Sequence, residues 1–168
     1  MNYMKIKKNS IGNFAGISVS LYVSGCDFHC KNCFNKSSWS PDAGFKFTDE
    51  VKEEIFLELQ KKYYDNFVIL GGEPLYKHNV EEVTQLAKEF KLRFPDKKLI
   101  IFTGHTYENI SNLEVMQYVD YLIDGLFKEE LYSPMLAFRG SQNQRIIDIK
   151  NSILKQTVVL ASEYYEKS

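Results

Sequence analysis

Two short, uninterrupted apolar runs, Phe67-Val68-Ile69-Leu70 and Leu99-Ile100-Ile101-Phe102, constrain the fold most. A strand with one wet face alternates apolar and polar residues, whereas a strand covered on both faces reads as a continuous run. Both runs stop at glycine, in Gly71-Gly72 and in Thr103-Gly104-His105. Between them Asn79 and Glu82 read as a capping-box pair, and Val83, Leu86, Ala87, Phe90 and Phe94 share one helical face as far as Pro95-Asp96. Upstream, Thr48 reads as an N-cap, Asp49 and Glu50 complement the helix dipole, and Val51, Ile55, Leu59 and Tyr63 make a second helical face.

The stretch Ile17-Ser18-Val19-Ser20-Leu21-Tyr22-Val23 alternates and reads as a strand. An irregular connection carrying Pro41 and Gly44 runs from Phe34 to Phe47. A weaker helix, broken at Ser111-Asn112, spans about 107–118, and Tyr121-Leu122-Ile123 is a further strand ending in Asp124-Gly125. Strand–helix units repeated about four times imply an α/β fold of parallel βαβ units, whose ligands sit beyond the carboxyl ends of the strands. Cys26, Gly71-Gly72-Glu73-Pro74, Thr103-Gly104-His105 and Asp124-Gly125 each follow a strand. They are therefore expected along one edge of the sheet, facing one site.

At 168 residues, with 44% hydrophobic residues, the chain is expected to form one domain, 1–168, with a real core. The net charge of −1 gives no field for general polyanion binding, so nucleic acid is not an expected partner. The N-terminus lacks an apolar h-region, and no apolar run approaches the roughly 20 residues of a membrane helix. A cytoplasmic location is expected.

All three cysteines fall in Ser24-Gly25-Cys26-Asp27-Phe28-His29-Cys30-Lys31-Asn32-Cys33-Phe34-Asn35, spaced Cys-x3-Cys-x2-Cys. An odd, clustered set is a poor disulfide framework, the bland alternative being a Cys26–Cys30 pair with Cys33 spare. Three thiolates so close can converge on one metal centre. Iron–sulfur clusters are usually held by four cysteines and structural zinc by four Cys/His ligands. Three ligands either borrow a fourth, with His29 the candidate for a Cys3His zinc site, or leave a position open for chemistry. Gly71-Gly72-Glu73-Pro74 is either an ordinary turn with a surface carboxylate or a turn that brings Glu73 and strand-end backbone to a charged amino group.

Taken together, the cysteine spacing and the Gly-Gly-Glu-Pro turn resemble the radical S-adenosylmethionine superfamily. Cys33-Phe34-Asn35-Lys36-Ser37-Ser38-Trp39, Asp124-Gly125 and above all Arg139-Gly140-Ser141-Gln142-Asn143-Gln144-Arg145 resemble, within it, the activating-protein family of anaerobic ribonucleotide reductase. The resemblance covers about 16–148 and leaves the tail, 149–168, unassigned; that tail packs on the domain, makes a dimer contact or frays.

The resemblance implies an incomplete, open parallel (β/α) barrel of the radical S-adenosylmethionine type. It implies a [4Fe–4S] cluster on Cys26, Cys30 and Cys33, with S-adenosyl-L-methionine chelating the fourth iron. It also implies reductive cleavage of that cofactor and hydrogen abstraction from a glycine of the reductase. A low-potential flavodoxin or ferredoxin would supply the electron, and monomer, homodimer and tight complex with the reductase remain open.

The implied cofactor-binding set is Asn32, Cys33, Phe34, Gly71, Gly72, Glu73, Pro74, Thr103 and Asp124, with no further catalytic side chain. Asn32 stands where many superfamily members carry an aromatic against the adenine, and Phe34 is a candidate neighbour. Asp124 binds the ribose or caps its strand end. Arg139 and Arg145 are surface charges or bind a carboxylate of cofactor or partner. Trp39 is core or a docking aromatic, and His78 and His105 read as hydrogen-bonding loop residues. Two alternatives remain: another small radical enzyme, and a non-catalytic metal-binding module that docks a partner.

Overall fold

The computed structural model describes residues 1–165. Seven strands form one mixed sheet: β1 Asn2–Ser10, β2 Ser18–Val23, β3 Phe45–Lys46, β4 Asn66–Gly71, β5 Lys98–Phe102, β6 Tyr121–Asp124 and β7 Arg145–Asp148. Four helices accompany them: α1 Asp49–Leu59, α2 Val80–Arg93, α3 Tyr107–Ile110 and α4 Ile149–Lys155. The spatial order is β3-β1-β2-β4-β5-β6-β7. Strands β2, β4, β5 and β6 are parallel neighbours in chain order. On either side β1, β3 and β7 join antiparallel, so the sheet is only partly parallel. None of these three was expected. The Lys-rich β1 hides its alternation, and β7 is four residues inside a motif that reads as a loop.

Period-two alternation sorts the strand residues onto two faces. Val19, Leu21, Phe67, Ile69, Leu99, Ile101 and Leu122 pack against Ile55, Phe56 and Leu59 of α1 and Val83, Leu86, Ala87 and Phe90 of α2. Val68, Leu70, Ile100, Ile123 and Ile146 face the other way, where no α-helix packs among the described residues. There Phe14 is wholly buried, its ring 4.7 Å from that of Tyr164 and 5.2 Å from those of Tyr121 and Phe138. Each such fully buried large apolar side chain stabilises by about 1.5–3 kcal/mol. The described part of the tail, 149–165, therefore packs on the domain, its last three residues lying outside the described ones: Ala161 and Tyr164 cover this face, and the Tyr165 hydroxyl accepts from the Ile146 amide at 2.8 Å.

Thr48 caps α1 as its sequence implies, its hydroxyl accepting from Val51 N–H at 3.4 Å. Tyr63 lies past the helix end and is exposed. Asn79 does not cap α2. Its side chain is buried and donates to the carbonyls of Ser24 (2.7 Å) and Glu73 (3.0 Å), while Glu82 pairs with the Met1 ammonium. The expected helix over 107–118 is α3 followed by a 3-10 turn at Glu114–Gln117. Among the described residues no helix is long and apolar enough to cross a membrane.

Candidate functional site

The carboxyl ends of the four parallel strands open on one cavity of about 240 Å³. Its wall includes Cys26, Cys30, Cys33 and Phe34 from the loop after β2, Gly71, Gly72 and Glu73 after β4, Thr103 and Gly104 after β5, and Gly125 after β6. Leu70 and Phe102, from the face without α-helices, line it as well. Chain order alone thus brings the strand-end motifs to one place, because parallel strands present all their carboxyl ends on one edge.

All three cysteines are free thiols of intermediate exposure. Their loop is held by Gly25 N–H to Ser38 carbonyl (2.7 Å) and Cys26 N–H to Trp39 carbonyl (3.0 Å), with His29 and Asn32 at positive φ. Burial pushes the Cys26 and Cys30 thiols up, and backbone N–H groups of Phe28 and His29 at Cys26 and of Phe127 at Cys30 act against it. Asn35 N–H points at the Cys33 sulfur, 3.3 Å away. Thiolate donors on one cavity wall, each with backbone N–H groups directed at sulfur, fit an iron–sulfur cluster, whose potential such hydrogen bonds tune. Among the described residues no three His, Cys, Asp or Glu side chains form a ready-made ligating group. His29 lies against Trp39 instead, ring centroids 4.4 Å apart.

The Gly-Gly-Glu-Pro turn is locked to the cysteine loop. Gly72 N–H donates to the Val23 carbonyl and Glu73 N–H to the Gly25 carbonyl, both at 2.8 Å. Gly71 has φ +116°, and a Cβ on Gly72 would lie 2.6 Å from the Gly25 carbonyl oxygen. Both glycines are thus required by loop-to-loop packing. Glu73 is no surface carboxylate: it is 1% exposed. Its Oε1 accepts from Thr103 Oγ1 (2.8 Å) and Leu75 N–H (2.9 Å), and its Oε2 from Gly104 N–H (2.7 Å). Burial outweighs these three hydrogen bonds and raises its pKa to about 7. Oε2 keeps acceptor capacity for one more donor from the cavity.

Three residues of the expected set do not line the cavity. Asp124 is buried, its carboxylate taking Tyr107 N–H (2.8 Å) and Arg145 Nε (2.9 Å) and Nη2 (2.5 Å). Alternation along β6 puts Asp124 on the side of Leu122, the α-helical side, which is why it turns from the cavity. Asn32 is exposed and bonds Glu129, and Pro74 is buried behind the turn. Arg145 also grips Glu108 (2.8 and 3.0 Å). Arg139 lies 4.0 Å over the Tyr165 ring. Both arginines thus engage groups of this chain itself.

Sequence reasoning missed Gln144, although its motif was singled out. Its Oε1 accepts from Gly140 N–H (2.9 Å) and Ser141 N–H (3.1 Å), and its Nε2 donates to the Gly125 carbonyl (2.9 Å), fixing two glycines of the cavity wall. Phe28, Phe127 and Gly140 line the cavity too; Phe28 and Gly140 lie within quoted motifs but had no role read for them, and no residue pattern flagged Phe127.

The pattern of a family described as "4Fe-4S single cluster domain" matches residues 13–147 and defines the class of protein to which this fold and cysteine-lined cavity belong. Three curated relatives carry the name anaerobic ribonucleoside-triphosphate reductase-activating protein. That of Enterobacteria phage T4 is 39% identical over 146 residues, 87% of this chain and 93% of the relative. That of Vibrio cholerae is 34% identical over 150 residues, 87% and 97% of the two chains, and that of Escherichia coli K12 is 32% identical over 148, 86% and 96%. The chain belongs to the anaerobic ribonucleoside-triphosphate reductase-activating protein family.

Proposed function

We propose that this chain is the radical S-adenosylmethionine enzyme that installs the glycyl radical of an anaerobic ribonucleoside-triphosphate reductase. The observation that carries the reading is the meeting of Cys26, Cys30, Cys33 and the buried Glu73 on one cavity at the parallel strand ends, in a chain whose relatives bear that name. The partly parallel sheet, wound in chain order with its α-helices on one side, is read as the open partial barrel of that superfamily, with 1–168 as one domain.

A [4Fe–4S] cluster held at these thiols, with S-adenosylmethionine beside it, would supply the one-electron reductive cleavage and hydrogen abstraction by which a glycyl radical is made on the reductase. This chain's residues bind and orient. Cys26, Cys30 and Cys33 would hold the cluster. Glu73 Oε2, with the adjoining turn backbone, receives the cofactor's ammonium, and an ammonium beside that carboxylate favours its ionised form. Thr103 and Gly104 hold the carboxylate in place from the next strand. Leu70, Phe102 and Phe34 supply apolar walls that restrict water. A low-potential flavodoxin or ferredoxin in the cytoplasm is the proposed electron source, a reducing setting consistent with three free thiols.

The test is anaerobic reconstitution with iron and sulfide, then electron paramagnetic resonance of the reduced protein with and without S-adenosylmethionine. The reading expects a [4Fe–4S]+ signal that changes on adding the cofactor, release of methionine, and a glycyl-radical doublet once reductase is present. A cluster signal indifferent to the cofactor, or uptake of one zinc in its place, overturns it.

A further inference from the structure

The cavity's rim carries aromatic surface that the core does not use. Phe34 of the cysteine loop is 72% exposed, and Tyr132 and Leu126 of the connection between β6 and β7 are 50% and 38% exposed. The rings of Phe34, Phe127 and Tyr132 stand 5.3, 5.9 and 6.3 Å from one another and belong to neither hydrophobic cluster. The two loops carrying them are fastened across the mouth: Lys31 pairs with Glu129 at 3.1 Å, and Asn32 donates to the same carboxylate. The two loops are thus bridged by one ion pair and one hydrogen bond.

We infer that this aromatic rim is the docking surface for the glycine-bearing loop of the reductase, an apolar peptide turn whose tip enters the cavity. The inference rests on the function proposed above. The cavity itself, about 240 Å³, lies below the roughly 300–1,000 Å³ usual for small-molecule clefts. A cavity of this size cannot admit a folded partner, so the partner's body meets the rim, which is continuous with the cavity through Phe34 and Phe127. Fixed, exposed aromatics beside a pocket are where binding energy concentrates in protein interfaces. The exposed rings of Phe34 and Tyr132 fit an apolar segment. Glycine at the tip brings a Cα in without a side chain.

Tyr132→Ala tests this, with Tyr132→Phe as the control that keeps the ring. The reconstituted variants are assayed twice: for S-adenosylmethionine cleavage without reductase, and for glycyl-radical yield against reductase concentration. Tyr132→Ala is expected to cleave the cofactor alone at the wild-type rate. It should need about tenfold more reductase for half-maximal radical, the loss of one interface anchor, while Tyr132→Phe stays near wild type. An unchanged reductase dependence overturns the inference. So does an equal loss of cofactor cleavage without reductase, which would make Tyr132 part of the cofactor site. So does a change confined to self-association in light scattering, which would make the rim a contact between copies. Absence of cofactor cleavage in the wild-type protein would instead defeat the proposed function itself.

Discussion

Replacing Glu73 by Gln removes the one deeply buried carboxyl of the site and should change how stability depends on pH. The folded value of about 7 stands against an ordinary 4.5, because burial disfavours the ionised form more than three hydrogen bonds favour it. The group is thus raised on folding. Between those values the folded chain holds a proton that the unfolded chain has released, so stability falls as pH rises, by about 1.4 kcal/mol per pH unit. Across a gap of about 2.5 pH units this amounts to about 3 kcal/mol, fully present as stabilisation below pH 4.5 and lost above pH 7. Gln cannot titrate. Whatever its amide costs beside the Gly104 and Leu75 N–H donors is the same at every pH. Urea unfolding of cluster-free wild type and Glu73→Gln under reducing conditions, at about pH 5 and about pH 8, isolates the effect. The difference in unfolding free energy, wild type minus variant, should be lower at the higher pH by nearly 3 kcal/mol. Curves that stay parallel within about 0.5 kcal/mol would show Glu73 ionised throughout and refute the reasoning.

Five further substitutions have expected outcomes on the same structural grounds. Cys26→Ser, Cys30→Ser and Cys33→Ser should each abolish the cofactor-responsive cluster signal yet shift unfolding by less than about 1 kcal/mol, since no cysteine belongs to either core cluster; iron analysis and urea titration check both halves. Arg145→Met strands the buried Asp124 carboxylate; because the Arg145 side chain is 30% exposed, the cost should be about 2–3 kcal/mol rather than the full buried-pair value, and a thermal shift equivalent to under 0.5 kcal/mol would contradict it. Gly72→Ala drives a Cβ to 2.6 Å from the Gly25 carbonyl and 3.1 Å from that of Ser38, backbone atoms that cannot rotate aside; a loss of about 2 kcal/mol or more is expected by denaturation.

The parallel centre of the sheet was legible because Phe67–Leu70 and Leu99–Phe102 are covered on both faces, and only continuous apolar runs satisfy that. The flanking strands were not. Each side of β1 mixes lysine with apolar residues, and β7 pairs only by returning across nearly the whole β6–β7 connection, a non-local fact. The cavity's position was readable from the glycines and cysteines at the strand ends, but side-chain direction was not. Asp124 and Gly125 are adjacent in sequence, yet one faces Arg145 and the other the cavity. Asn79 shows the same limit: the pattern Asn-x-x-Glu is a capping box locally, but the buried amide instead donates to the carbonyls of Ser24 and Glu73 across the site.

That the three cysteines stand outside both hydrophobic clusters separates the scaffold's lifetime from the cluster's. In a zinc finger, metal binding is the folding energy, and stripping the metal unravels the chain. Here the two hydrophobic clusters and the Glu73 hydrogen bonds contain no cysteine. Brief contact with air would then be an injury to the contents and not to the vessel, and a cell returning to anoxia could refill old chains instead of making new ones.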